Sequence, residues 1–265
     1  MNDTITQPAL YVPHGGGPCF FMDDPDGVWT SMAAFLRALP TQLPAKPRAI
    51  LVVSGHWETD GLAVTGSASP PLIYDYYGFP PHTYRLTYPA PGDPRLAGEV
   101  AALLAAAGFP LHVDPARGLD HGVFVPLKVV YPDADVSVIE LSLDRRLDPA
   151  LHMRIGAALR PLREKGVLLF CAGMSFHNLR AMNDARALAP SQAFDDWLAE
   201  SVAMPGRERT ARLARWDEAP AARIAHPRHE HLLPLMVAAG SSEAPGRRIF
   251  SEQVLAMRIS GFRFD

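Results

Sequence analysis

The chain of 265 residues is poor in cysteine and lysine and contains no long apolar run. Its two cysteines, Cys19 and Cys171, cannot build a disulfide framework and fit a reducing compartment. No apolar stretch approaches the roughly 18 residues of a membrane span. The N-terminal residues lack the charged and apolar regions of a secretory signal, so a cytoplasmic location without membrane attachment is expected. Lysine is confined to Lys46, Lys128 and Lys165, and 25 basic against 28 acidic residues are interspersed, giving a net charge of −3. That leaves no basic face for phosphate contacts and excludes nucleic acid as an expected partner. The glycines of His14-Gly15-Gly16-Gly17 lack both the Lys-Ser/Thr of a P-loop and the spacing of a dinucleotide fingerprint. There is no internal repeat and no low-complexity tract. The 26 prolines are spread along the chain, most densely over 70–94, so no flexible linker divides it and a single domain over 1–265 is expected.

What is present reads as a globular protein, 48% hydrophobic and 20% charged. Short aliphatic or β-branched runs at 9–12, 50–54, 136–142, 167–172 and 254–260 predict strands. Apolar residues spaced three and four apart predict helices over 27–39, 93–107, 148–165 and 191–202. Asp93-Pro94 and Asp148-Pro149 each place a capping carboxylate before a first-turn proline, and Gly108 and Gly166 follow as stops. Strands alternating with helices predict an α/β fold with a central mixed or largely parallel sheet flanked by helices. Ligands of such sheets sit beyond the carboxyl ends of the strands.

Ten histidines stand out against that background, and several lie at those ends. His14 follows the first predicted strand, His56 the second and His177 the fourth, each with glycine nearby. His121, in Gly118-Leu119-Asp120-His121-Gly122, precedes an apolar helical stretch, and His226 to Leu235 open another. A lone loop histidine is usually a surface or hydrogen-bonded residue, but three at neighbouring strand ends are brought together by the fold. His112 in a candidate strand and His152 in a helix read as structural, and His82 lacks a comparable context. Imidazole suits zinc, iron, copper and nickel alike, so the cluster does not choose its metal. Tyr74, Tyr76, Tyr77, Phe79, Tyr84 and Tyr88 crowd the proline-rich segment, where they suit a wall for a planar substrate as well as a rigid surface loop or a contact between subunits of a homo-oligomer. Arg207, Arg209, Arg212 and Arg215 alternate with acidic neighbours and read as a solvated helix face.

Taken in order, Pro13-His14-Gly15-Gly16-Gly17-Pro18, Ser54-Gly55-His56-Trp57, Gly78-Phe79-Pro80, Tyr88-Pro89-Ala90-Pro91-Gly92, Gly118 to Gly122, Tyr131-Pro132-Asp133-Ala134-Asp135, His177-Asn178-Leu179-Arg180 and Glu230-His231-Leu232-Leu233-Pro234-Leu235 form a pattern. In it the chain resembles the class III extradiol ring-cleavage dioxygenases, in particular their DOPA 4,5-dioxygenase-like branch. The resemblance implies a mononuclear Fe(II) site that opens a catechol ring beside its diol with O2, as in aromatic compound catabolism. It implies His14, His56 and His231 as metal ligands and His177 as an acid/base residue near enough to act as a fourth. It also implies His121 as a second acid/base residue. More distant members use a glutamate as the third ligand, so Glu230 competes with His231, which the branch favours. Zn(II) suits the same imidazoles and can occupy them in purified protein. A zinc hydrolase or deaminase with Glu58 or Glu230 as general base is the alternative. A binding protein that has lost ring cleavage is a third reading, disfavoured by the retention of both His121 and His177.

Overall fold

A computed structural model describes residues 5–265. One eight-stranded sheet crosses it: β1 (Ala9–Pro13), β2 (Ala49–Thr59), β3 (Leu62–Thr65), β4 (Leu111–Asp114), β5 (Ser137–Asp144), β6 (Val167–Gly173), β7 (Arg247–Val254) and β8 (Met257–Phe264). Their spatial order is β4-β3-β5-β2-β6-β1-β8-β7. The four central strands β5, β2, β6 and β1 pair in parallel. Antiparallel pairing of β3 with β5 and of β8 with β1 makes the sheet mixed.

Side chains alternate across a strand, and the central strands are apolar on both faces, so they need cover on both sides. Tyr11, Leu51, Val53, Leu141, Leu169 and Cys171 join one buried cluster, while Val12, Ile50, Val52, Val138, Leu168 and Phe170 join another. The first is covered by α2 (Pro94–Ala106), α4 (Pro149–Glu164), α5 (Leu188–Val202) and α8 (Leu233–Gly240), the second by α1 (Thr30–Gln42) and α3 (His121–Val130). Short helices α6 (Gly206–Ala214) and α7 (Ala222–Ala225) lead into α8. The helix starts follow the capping logic: the Asp93 side chain accepts from Leu96 N–H, and that of Asp148 from Ala150 and Leu151 N–H.

Three expectations are corrected. The run 254–260 is not one strand: Leu255, at φ +54°, turns the chain between β7 and β8, and no glycine or asparagine betrays that turn in the sequence. The first helix begins at Thr30 rather than at 27, because Asp24 first accepts from the N–H groups of Val28 and Trp29 in a turn. Arg209 does not face solvent; it is 1% exposed and donates to the carbonyls of Met204, Ala239, Ser242 and Ala244.

Candidate active site

The parallel strands share one direction, so the segments that leave β1, β2 and β6 emerge together. His14 follows β1, His56 lies near the end of β2, and the chain leaving β6 reaches His177. Packing brings His231 to the same place. Its backbone carbonyl accepts from the Tyr11 hydroxyl at 2.8 Å and from Met174 N–H at 3.2 Å. Gly173 leaves room for this: a Cβ there would lie 2.2 Å from the His231 carbonyl oxygen. Gly55 is close to His231 in the same way: a Cβ there would lie 3.2 Å from the His231 Cα.

The rings converge. The centroid of His14 lies 5.0 Å from that of His56 and 5.1 Å from that of His231, and His56 and His231 are 4.7 Å apart. His121 stands 4.0 Å from His56, and His177 stacks on His231 at 3.5 Å. The potential ligand atoms of His14, His56 and His121 lie within 4.8 Å of one another, as do those of His177, Glu230 and His231. The two groups meet where the Nε2 atoms of His56 and His231 face each other at 3.1 Å. All five histidines singled out as site residues are therefore in one place, whereas His82, His112 and His152 are not. His152 is buried in α4, accepting Asp144 N–H at Nε2 and meeting the Asp148 carbonyl at Nδ1.

Oxygen atoms on the far side of the rings set the tautomers. The Gly15 carbonyl, 2.8 Å from Nδ1 of His14, can only accept, so Nδ1 carries the proton and the lone pair is on Nε2. Nε2 of His14 is buried with no hydrogen-bond partner. Glu230 Oε1 lies 2.8 Å from His231 Nδ1 and 3.3 Å from His177 Nδ1. Asp75 holds the other pair, with Oδ1 2.8 Å from His121 Nδ1 and Oδ2 3.5 Å from His56 Nδ1. Each carboxylate thus grips two imidazoles from behind, the arrangement that orients metal-binding histidines. Two facing lone pairs at 3.1 Å repel unless a cation lies with them. Protonation is disfavoured there: burial, reinforced by His121, pushes His56 down to about 4, and burial holds His14 and His231 well below the usual imidazole value. The donor set fits a divalent metal ion.

This geometry also separates Glu230 from His231. Glu230 faces the back of the two rings, and hydrogen bonds from His177 and His231 outweigh burial to keep its carboxyl far below the usual range. At Asp75, burial is likewise outweighed, by the hydrogen bond from His121, and the carboxyl is held at about 2. Arg228 covers Glu230 from outside, 3.3 Å from its Oε2, and forms a two-pronged pair with Glu58 at 2.5 Å. Tyr76 sets its ring edge-on to His121 at 5.7 Å, Phe79 packs on Tyr76, and Tyr74 and Tyr84 stand behind. Tyr88 lies in the core instead, and Tyr77 points to solvent. A recess of about 550 Å³ beside His177 is lined by Asn178, Arg180, Arg228 and Glu230.

Asp75 and Arg228 were not apparent from sequence. Asp75 is masked by the tyrosines around it, although a single carboxylate in an aromatic segment is a usable signal.

Comparisons with known proteins give the chain a family. The family model for the catalytic LigB subunit of aromatic ring-opening dioxygenase matches residues 8–258. The chain belongs to that family, and it is an extradiol ring-cleavage dioxygenase. It is 38% identical to the dioxygenase tasH of Hapsidospora irregularis, over 95% of this chain and 83% of that one. To the 4,5-DOPA dioxygenase extradiol of Escherichia coli it is 34% identical, over 91% and 87%. A crystal structure of an uncharacterised protein of Escherichia coli K12 superposes with a TM-score of 0.78 at 27% identity, covering 98% of this chain and all of the other.

Proposed function

We propose that the enzyme uses Fe(II) to open the ring of a substituted catechol beside its diol, giving a ring-opened semialdehyde. The observation that carries this reading is the clustering of the His14, His56 and His231 rings, with centroids 4.7–5.1 Å apart, and the imidazoles of His121 and His177 alongside. His14, His56 and His231 would hold the metal, and the stacking of His177 on His231 supports His177 as a fourth ligand in a resting or zinc-loaded form. Iron would supply open positions for the diol and O2 and a path for electrons between them.

The chain's own residues handle the protons. A catechol hydroxyl must lose a proton on binding, and ring opening requires protons to be returned. His121 directs Nδ1 at Asp75, which leaves Nε2 to accept from the substrate while the carboxylate stabilises the imidazolium. Glu230 supports His177 in the same manner. Tyr76 and Phe79 offer a flat apolar wall for the ring. The name of the relatives, 4,5-DOPA dioxygenase extradiol, supports a catechol with a side chain as the substrate class. The hydrolase alternative lacks the free carboxylate base it calls for, since both oxygens of Glu58 are held by Arg228 and Glu230 is engaged with two histidines. A cytoplasmic location suits the two cysteines, which are buried and unpaired.

The test is one preparation loaded anaerobically with either Fe(II) or Zn(II) and presented with a panel of catechols. The iron form should consume O2 in step with the catechol and form a yellow product. The zinc form should do neither, because zinc has no accessible redox change. Equal activity with zinc, or ester or amide hydrolysis without O2 uptake, would move the enzyme to the hydrolases.

A further inference from the structure

Behind His56 and His121 lies a second buried cluster that the chemistry above does not use. Glu140 projects from the middle of β5 and is fully buried, and neither of its carboxylate oxygens has a hydrogen-bond partner. Asp120, also fully buried, lies against it. Asp120 occupies the N-cap position of α3 but does not cap that helix. Its Oδ1 accepts instead from the Ser54 hydroxyl at 2.9 Å, and its Oδ2 from Arg117 at 3.2 Å. Ser54 Oγ in turn accepts the backbone N–H of His56 at 3.1 Å. Arg117 is 4.0 Å from Glu140 and stacks over Trp57.

Two carboxyl groups therefore share one guanidinium in a site without water access. Two carboxylates can only accept, so they cannot bond to each other, and a second uncompensated buried charge is strongly disfavoured. A single proton between them satisfies both. The position matters because the pairing of β2 with β5 is interrupted between Val53 and Glu58. On that side the ladder does not hold residues 54–57, the segment that carries His56.

We propose that Glu140 and Asp120 form a hydrogen-bonded acid–carboxylate pair whose proton fixes Ser54, and through it the segment of β2 that carries His56. Glu140 is the partner that keeps the proton, because burial and the neighbouring Asp120 push its carboxyl well above the usual value, with Arg117 opposing. Asp120 stays the acceptor for Ser54 and Arg117. Glu140 is on this account a positioning residue for a metal ligand.

The inference rests on His56 being a ligand, and the test separates the two. Zn(II) affinity, measured by competition with a chromophoric chelator, and the infrared carbonyl band of a protonated carboxyl are both read without turnover. The wild-type protein should show that band at about pH 8, well above the ordinary carboxyl range, and Glu140→Gln should lack it. Because its amide can still donate to Asp120, Glu140→Gln should keep zinc affinity within about threefold, while Glu140→Leu and Ser54→Ala should weaken it about 10–100-fold. His56→Ala is the control. If it too binds zinc normally, the ligand assignment has failed, and the positioning role fails with it. The absence of a band difference overturns the shared proton. Wild-type affinity in Ser54→Ala, or equal weakening by Gln and Leu, overturns the positioning role. Should Glu140→Leu not fold, Ser54→Ala and the infrared comparison decide.

Discussion

The two ends of α8 bury polar groups in opposite ways. Before its N-terminus, His231 meets His14, His56 and His177: Nε2 of His14 is buried without a partner, and those of His56 and His231 face each other. Beyond its C-terminus, two buried arginines are bonded to backbone carbonyls. Arg163 donates to Gln7, Ser241 and Phe264, and Arg209 to Met204, Ala239, Ser242 and Ala244. These cations also complement the negative end of the helix. The helix is only about 12 Å long at 1.5 Å per residue. One end is built for stability, with guanidinium hydrogens placed on otherwise unpaired carbonyls. The other leaves nitrogen lone pairs without protein donors, an arrangement that stabilises the chain only when something else binds there.

If that contrast is right, substitutions at the two ends should separate function from folding. The largest effect is expected at the acid/base residues: His121→Ala and His177→Ala should lower turnover about 10²–10⁴-fold each, with the melting temperature nearly unchanged. Wild-type turnover in both would remove the proton-transfer roles.

At the other end, Arg209→Ala should destabilise the fold by about 3–4 kcal/mol, because it strands several buried carbonyls. Denaturant unfolding measures the loss, and metal bound per folded molecule should stay constant. Loss of metal without loss of stability would break the comparison.

Smaller in energy is Asp75→Asn. The amide can still accept from one imidazole but supplies no charge, so metal affinity or activity should fall about 10–100-fold. Equilibrium dialysis and O2 uptake would read this, and an unchanged value would show that Asp75 does not orient His56 and His121.

The smallest effect is in the pH dependence of folding, at a buried histidine just outside the cluster. Burial pushes His226, held by the Ser175 carbonyl, down from the ordinary imidazole value of about 6.5 to about 3. Below about pH 6.5 the unfolded chain therefore takes up a proton that the native state refuses, and stability falls with acid until about pH 3. Going from about pH 7.5 to about pH 5.5, wild-type protein should lose about 1.4 kcal/mol more than His226→Gln. Parallel stability profiles for the two proteins would show that His226 is not buried as a neutral ring.

How much of this was legible in the residues depends on the range over which they act. Asp93-Pro94 and Asp148-Pro149 mark helix starts because a cap is made within three residues, and the central strands announce themselves as aliphatic runs because both their faces are covered. His14, His56 and His177 were placed by the shared direction of parallel strands, which is a property of the fold class. The turn at Leu255 was hidden because its φ is imposed by the hairpin and not by the residue type.

The sequence by itself determined the α/β alternation, the histidines at the strand ends and the family pattern that joins them to His121 and His231. Only the tertiary structure decided that His231 faces the cluster with Glu230 behind it, that Asp75 stands behind His56 and His121, and that Arg209 is buried while its neighbours in the same helix reach solvent. Asp75 and His121 are 46 positions apart, and Glu58 and Arg228 are 170 apart. Local periodicity carries no information over such separations. They are set by which helix covers which face of the sheet, and by the requirement that every buried donor or acceptor find a partner.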